Sequence, residues 1–562
     1  MSLIILNMVM VTLPTKTLQE KLGLKGEFQK TLSETLFKIG MELENSNEEE
    51  TTIDIAGAGN RIDAVSLEGL VRIIKAYNRS YKLKFPSVTR GKNIINVDKS
   101  VADIRPYMGN FIVRNVDIDN DSLTRIINYQ EKIAGTFGRD RKVIGMGLFK
   151  MPAIQFPLQY IALPAKEIKF APLGFEEEMT GDEILAKHSK GTAYASLFAG
   201  KNKLPILRDA NGKVLTMPGI TNSNDLGKVE SGKQDLFVEA TGSNLQMIIQ
   251  LLTANALDFA EMGGQIESCT VKYSGGKNVE FPQFAFDKYS VSIKEINSLL
   301  GLELKAEQAK NLLEKMLLPS LVQGGKLVVN VPRFRSDVVH NVDVIEDVAR
   351  AYGFDNFIPL QQTAYTFGKK HEKTIIFDAV VNSFTGLGFQ QVIGMILTSK
   401  EEATTKIKQS DNGKFIELHS SRALGLNACR QSLLPGLLSI LASNKQYSYP
   451  QKIFEVGECL EINNSEETSA KTIWKTAAIT ASATSASGFA EVKATIEALG
   501  KSFDDYALKI EPTLDVRFIK GRCAKVTGKH FNGIFGEVDL ELLRNFNVEM
   551  PCTAMEIELK KP

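Results

Sequence analysis

The hydrophobic pattern divides the chain into segments of contrasting period. Apolar positions recur at helical spacing through 15–43, predicting helix, short loop, helix, and the run from Thr51 to Ile55 predicts a strand. Asp63 and Ser66 stand just before Leu67, where either can cap a helix start. Leu123, Ile126, Ile127, Ile133, Ala134 and Phe137 fall on one face of a helix predicted over 122–137. Gln130 and Glu131 share that face, where two hydrophobes would complete the stripe. Polar groups so placed either find a structural partner, such as Arg139 or Arg141 in the next loop, or form the floor of a polar pocket. Three strands follow. One over 143–149 carries Gly145 and Gly147 on one face, one over 214–217 brings Thr216, and one over 236–241 sets Phe237, Glu239 and Thr241 on one face. Ser243 or Asn244 is placed to cap an apolar helix ending at Gly263 and Gly264.

Beyond residue 270 the pattern predicts helices over 293–299 and 306–317 and a strand over 326–331, an order that suggests a winged-helix-like module. Val331 to Asn356 then runs from strand through Arg333, Arg335 and Ser336 into a helix closed by Gly353, expected as a left-handed cap. Asp337, Asp343, Glu346 and Asp347 cluster near its start. Two readings stand: a site for a hard cation bound through oxygen, or acids favoured by a helix N-terminus. The remainder mixes strands and helices, with a strand-to-helix junction from Arg430 to Leu438 and sheet segments at 454–457 and 533–538. Ala477 to Ser487, rich in small residues, reads as a strand and turn.

Composition narrows this picture modestly. A chain of 562 residues suggests about four domains, with boundaries expected at 1–92 (ending in the linker Lys84 to Lys92), 93–269, 270–358 and 359–562. Hydrophobic content of 43% and charged content of 24% are those of a soluble globular protein. A net charge of +1 confines any nucleic-acid contact to local basic patches. The five cysteines are scattered without a C-x-x-C pair, which points away from zinc and disulfides and toward a reducing cytosol. The opening MSLIILNMVMVTLP is expected as a first strand, with Met8 or Met10 as alternative starts, and no segment has the length of a membrane span. P-loop and dinucleotide fingerprints lack a strand-helix context.

Arg335-x-Asp337-x5-Asp343-x2-Glu346-Asp347, followed by A-Y-G-F-D-N, resembles the end of the B5 domain of phenylalanyl-tRNA synthetase β subunits. Asn60 to Gly69 is similar to that family's N-R-P-D-x-x-S-x-E-G motif, with Ile62 in place of the proline. The resemblance implies an α+β multidomain fold. Its parts would be a B1-like α/β domain, a B3/B4-like tRNA-editing domain, the winged-helix-like B5 domain, and a degenerate class II synthetase-like domain with an antiparallel sheet. The closing MPCTAMEIELKKP holds neither a glycine-rich strand nor an arginine, so adenylation by this chain is not expected. The missing additional modules of bacterial β subunits point to the archaeal/eukaryotic type.

The same resemblance implies a cytoplasmic partner, the α subunit, in an (αβ)2 heterotetramer. That subunit would bind ATP and phenylalanine and charge tRNA-Phe with Mg2+, while the β subunit scaffolds it and hydrolyses mischarged Tyr-tRNA-Phe. Asp337, Asp343, Glu346 and Asp347 would be Mg2+ ligands. Gln130, Glu131, Arg141, Leu207, Thr216, Asn222, Glu239 and Thr241 would form the editing site. Glu131 or Glu239 would orient the tyrosine, Arg141 would steer the tRNA end, and Thr216, Asn222 and Thr241 would place the ester and a water. Thr216 stands where the archaeal pattern has serine, and Glu239 where it has aspartate. These departures favour the alternative, a structural, tRNA-docking subunit with decayed editing. A free-standing nucleic-acid-binding regulator is a more distant third reading.

Overall fold

The helical period at the start of the chain is realised as Thr15–Leu22 and Phe28–Lys38, which bury Leu18, Leu32 and Leu36 against a three-stranded antiparallel sheet. Ser66 caps helix Leu67–Tyr77 by accepting from Gly69 N at 3.0 Å. The computed structural model describes residues 10–24, 26–55, 60–151, 153–361, 366–419, 421, 425–483 and 488–560. The expected opening strand is described as Met10–Pro14, and residues 1–9 lie outside the described residues, as do the approach 56–59 and the small-residue stretch 484–487. Contacts divide the chain into two compact units, Met1–Leu360 and Gln361–Pro562.

In the first unit an eleven-stranded mixed sheet dominates. Its central strand, Gln265–Tyr273, runs antiparallel to Tyr107–Ile118 and parallel to Ile94–Val97 and Val88–Thr89. Two expected domain boundaries therefore fall within this sheet. The linker expected over 84–92 contributes Val88–Thr89, and Cys269 lies inside a strand that continues to Tyr273. One continuous core joins Leu32, Leu36 and Ile53 of the N-terminal region to Phe111, Phe237 and Phe259 of the central sheet. Helix Leu245–Glu261 covers this sheet, capped by Asn244 Oδ1, which accepts from Met247 N at 3.2 Å.

Residues 286–352 form a smaller body with its own core. Strand Phe286–Ser292 leads into helices Ile293–Leu300 and Ala306–Lys315 and pairs with the later strand Lys326–Pro332 in a three-stranded antiparallel sheet, and helix Asn341–Tyr352 follows. Gly353 ends that helix at φ 94° and ψ 121°, a glycine-favouring conformation outside the expected left-handed helical region.

The second unit is a seven-stranded sheet, antiparallel but for the edge strand Gln390–Gln391. Helices Glu372–Gly386 and Gly488–Ser502 pack in one core and helices Leu434–Ser443 and Leu540–Asn545 in another. No helix of the described residues is long and apolar enough to cross a membrane.

Candidate functional site

Helix Asn120–Gly135, capped by Asp119 Oδ1 accepting from Ser122 N at 2.7 Å, buries Tyr129 and Ile133 and turns another face to open space. Ile126, Ile127, Gln130, Glu131 and Ala134 line a cavity of about 400 Å³. Ile127 keeps 49% of its surface exposed there. The apolar face read from sequence is thus partly core and partly cavity wall. Gly145, Thr216, Asn222, Glu239, His188 and Lys190 line other parts of the same cavity.

Glu239, on strand Gly232–Gly242, stands in register between Asn110 and Gly147. A Cβ at Gly147 would come within 2.9 Å of Glu239 Oε1, so the bare strand makes room for the carboxyl. Glu239 Oε2 and both polar atoms of the Asn110 amide are enclosed without a hydrogen-bond partner among the described residues. Burial pushes the Glu239 acid up to about 8, with the nearby Arg105 charge pulling the other way. At neutral pH it is mostly a carboxylic acid, able to donate and to accept.

The other expected residues divide between the cavity lining and the layer behind it. Thr216 pairs with Leu207 on one side and Asn222 on the other, and its Oγ1 donates to Thr221 O at 3.0 Å. Asn222 Nδ2 donates to Leu148 O at 3.4 Å, and its Oδ1 lies 3.3 Å from where a Gly147 Cβ would be. Leu207 and Thr241 are buried and do not line the cavity. Thr241 Oγ1 accepts from Arg105 Nε at 2.8 Å.

At the mouth Glu131 is an exposed carboxylate, not the buried one its place on an apolar face suggests. It accepts from Arg141 Nη2 at 3.0 Å and from Lys190 Nζ. Burial tends to raise its pKa, yet these two cations hold it below the ordinary carboxyl range. Arg139, Asp140 and Arg141 have consecutive φ values of 47°, 55° and 65°, a left-handed turn costing roughly 1–2 kcal/mol per residue. The turn aims the Arg141 guanidinium at Ile220 O, 3.0 Å away, and over the Tyr194 ring at 4.4 Å. Arg141 is therefore a brace across the mouth, its side chain engaged by protein groups on three sides.

Known proteins resemble this chain over nearly its whole length. Residues 359–559 match the model of the phenylalanyl tRNA synthetase beta chain CLM domain, and residues 289–354 that of the tRNA synthetase B5 domain. The phenylalanine–tRNA ligase beta subunit of Methanocella arvoryzae is 34% identical, covering 98% of this chain and 99% of its own. The chain belongs to this family of beta subunits. The beta subunit of Pyrococcus horikoshii is 36% identical over 89% of both chains. The crystal structure of an N-terminal fragment of the phenylalanyl-tRNA synthetase beta subunit from that organism superposes with a TM-score of 0.58 at 35% identity, covering 61% of this chain and 99% of the fragment. As a member of the family the chain is part of an aminoacyl-tRNA ligase, with a B5 domain and a CLM domain in a mixed α/β multidomain fold.

In the B5 domain the four acids expected as Mg2+ ligands, Asp337, Asp343, Glu346 and Asp347, are each engaged by protein groups. The enclosed Arg335 guanidinium grips Asp337 through Nε at 2.8 Å and Nη2 at 2.6 Å, reaches Asp347 through Nη2 at 2.6 Å, and donates from Nη1 to Met316 O at 2.8 Å. Asp343 Oδ2 accepts from Val339 N and His340 N at 2.7 and 2.6 Å, as a helix-start acid does. Glu346 pairs with Arg350 at 2.8 Å. Among the described residues no group of three or more such side chains is placed to hold a metal. An internal cation, not an open set of oxygen donors, organises the two buried acids.

In the CLM domain the comparable polar cluster is closed. Glu556, on strand Cys552–Leu559, accepts from Ser432 Oγ and Leu433 N at 2.7 Å and from Arg517 Nη1 at 2.8 Å. Burial works against its charge, yet Lys475 and Arg517 hold it down at about 2.

Sequence reasoning missed Arg105, Asn110 and Lys190. Asn110 carried a usable signal, a lone amide inside the apolar run from Met108 to Val113. Arg105 and Lys190 sit in irregular or polar stretches, where residue type gives no sign of burial or contact.

Proposed function

We propose that this subunit proofreads: its cavity hydrolyses tyrosine wrongly esterified to tRNA-Phe, while a partner alpha subunit binds ATP, Mg2+ and phenylalanine and charges the tRNA in an (αβ)2 cytoplasmic complex. The observation carrying this reading is Glu239, an enclosed and unpaired acid lining a cavity of about 400 Å³. A tyrosine phenol would satisfy that acid, whereas phenylalanine would leave it unpaired. Sites built to hydrogen-bond a hydroxyl reject the analogue lacking it by about four orders of magnitude. Apolar synthetic pockets discriminate the other way by only about a hundredfold, which is why a second check is needed.

Hydrolysis requires one water. Its oxygen bonds to the ester carbonyl carbon, the carbon–oxygen bond to the ribose breaks, and the proton released by the water ends on the ribose oxygen. Asn222 would position the ester and the water with Thr241 in the layer behind, Gln130 and Ile127 would flank the side chain, and the Glu131–Arg141–Lys190 set would frame entry. Positioning alone is a substantial source of rate when the reacting atoms are held in line.

A structural subunit without editing is the second reading. It is favoured by Thr216, whose hydroxyl proton is directed into the wall at Thr221 O. Deacylation of Tyr-tRNA-Phe by the purified complex decides between them. The editing reading expects the wild-type complex to deacylate about a hundredfold faster than a Glu239→Ala complex; equal rates overturn it.

A further inference from the structure

Glu131 faces two cations of different standing. Arg141 is held in place: its Nη1 donates to Ile220 O at 3.0 Å and Gly219 O at 3.3 Å, its guanidinium lies over the Tyr194 ring, and its side chain is only 11% exposed. Its Nη2 reaches both Glu131 oxygens, at 3.1 and 3.0 Å. Lys190 is 45% exposed, and Glu131 Oε1 is the one side-chain partner of its Nζ among the described residues. The backbone beneath it is fixed separately, Lys190 N donating to His188 Nδ1 at 3.2 Å and Thr192 N to His188 O at 2.9 Å. The flexible lysine stem can therefore swing away while its segment stays put.

An aminoacyl ester carries a primary ammonium next to its carbonyl, the same group that Lys190 presents. Glu131 and Glu239 are the two acids lining the cavity. Glu239 is mostly neutral, so Glu131 is the anion that an incoming ammonium can meet. One carboxylate between two cations already leaves an excess of positive charge there. A third cation is repelled unless one departs, and Lys190 is the one free to do so. Resting on the editing reading, we propose that Lys190 is a specificity-determining residue: its ammonium holds the place on Glu131 that the α-ammonium of the misacylated amino acid takes, and the two exchange as the ester enters. The exchange keeps the charge around Glu131 constant. Esters of free amino acids displace Lys190, whereas esters whose amino group is blocked or absent leave it in place and gain nothing from Glu131. Acceptance then demands two features at once, a phenol for Glu239 and a free ammonium for Glu131. The competing lysine lowers the apparent affinity of every ammonium-bearing ester by the fraction of time it occupies the carboxylate.

The test uses the purified alpha–beta complex and two esters of tRNA-Phe: the tyrosyl ester and its desamino analogue, in which hydrogen replaces the α-ammonium. The readout is the ratio of their kcat/KM values, from which electrostatic attraction of the tRNA itself cancels. Lys190→Met keeps the stem and removes the competing charge, so it is expected to raise the ratio about two- to fivefold. Glu131→Gln is expected to lower the ratio about fivefold or more. Adding Lys190→Met to Glu131→Gln should change it no further, because the contested carboxylate is gone. If the desamino ester is not turned over, its inhibition constant against the tyrosyl ester supplies the comparison with KM. Charging of phenylalanine should be unaffected, which reports that the complex is intact. An unchanged or lowered ratio in Lys190→Met overturns the proposal, and so does an equal rise with and without Glu131. A lysine that binds a tRNA phosphate would weaken both esters alike and leave the ratio unchanged. Absence of Tyr-tRNA-Phe deacylation by the wild-type complex would instead remove the editing reading itself.

Discussion

Glu239 and Glu556 are the same residue in similar surroundings with opposite chemistry. Each is on an inner strand flanked by antiparallel neighbours, and they are only 3% and 6% exposed. Burial pushes Glu239 up to about 8, while Glu556 is held at about 2. The difference lies in the partners. Glu556 is met by a hydroxyl, a backbone N–H and a guanidinium, with Lys475 close by. Glu239 Oε2 has no hydrogen-bond partner among the described residues, and the residue lines a cavity. A buried acid with every oxygen satisfied is part of the frame; one left unsatisfied beside open space is a candidate for binding.

The comparison is broken most easily by removing each charge in turn. Glu556→Gln takes the anion from a buried pair and should cost about 3 kcal/mol or more. Glu239→Gln replaces a mostly neutral acid by a neutral amide and should change stability by less than about 1 kcal/mol. Urea unfolding checks both: the single tryptophan, Trp474, reports the unit containing Glu556, and far-UV circular dichroism follows the rest. Comparable losses in the two variants would mean that partner satisfaction does not separate the two sites.

Arg335 tests whether an internal guanidinium belongs with the satisfied class. Arg335→Leu would leave Asp337 and Asp347 facing one another with only the Arg61 charge nearby and should cost about 3 kcal/mol. A chelator should leave the melting temperature of the purified chain unchanged. A chelator effect as large as that of the substitution would mark the four acids as a metal site.

Much of the architecture was readable from the residues. The cap at Ser66, the cap at Asn244 and the alternation that puts Glu239 and Thr241 on one face all follow from local rules, because each depends on neighbours in sequence. What was not readable depends on distant chain. The acids at 337–347 look open in sequence, because the spacing does not reveal that Arg335 folds back on two of them. Glu131 was expected within an apolar face, and its exposure follows from a cavity that no single helix pattern encodes. Arg105 becomes visible only when Thr241, 136 residues away, is brought against it.

Proton linkage sharpens the contrast at smaller amplitude. With a folded pKa near 8 and an ordinary value near 4.5, Glu239 binds its proton more tightly in the folded state. Its contribution is fully present below pH 4.5 and is lost as pH rises toward 8, at up to about 1.4 kcal/mol per unit. Glu556 has the opposite sign. Its contribution is present above pH 4.5 and is lost as pH falls toward 2. Stability measured against pH should therefore lose its neutral-range decline in Glu239→Gln and its acid limb in Glu556→Gln. A profile unchanged by either substitution would contradict the assignment.

The smallest expected effect applies the same logic to two buried tyrosines. Tyr160 Oη donates to Arg105 O at 2.8 Å, whereas Tyr129 Oη is enclosed without a partner among the described residues. Removing a bonded hydroxyl strands its acceptor, so Tyr160→Phe should cost about 1 kcal/mol. Removing an unbonded one relieves a desolvated polar atom, so Tyr129→Phe should be neutral or stabilising by up to about 1 kcal/mol. Differential scanning calorimetry of the two variants compares them directly. A loss of stability in Tyr129→Phe equal to that in Tyr160→Phe would mean that the Tyr129 hydroxyl is satisfied in the folded chain, and that enclosure without a partner is a poor guide to which buried polar groups are held in reserve for a ligand.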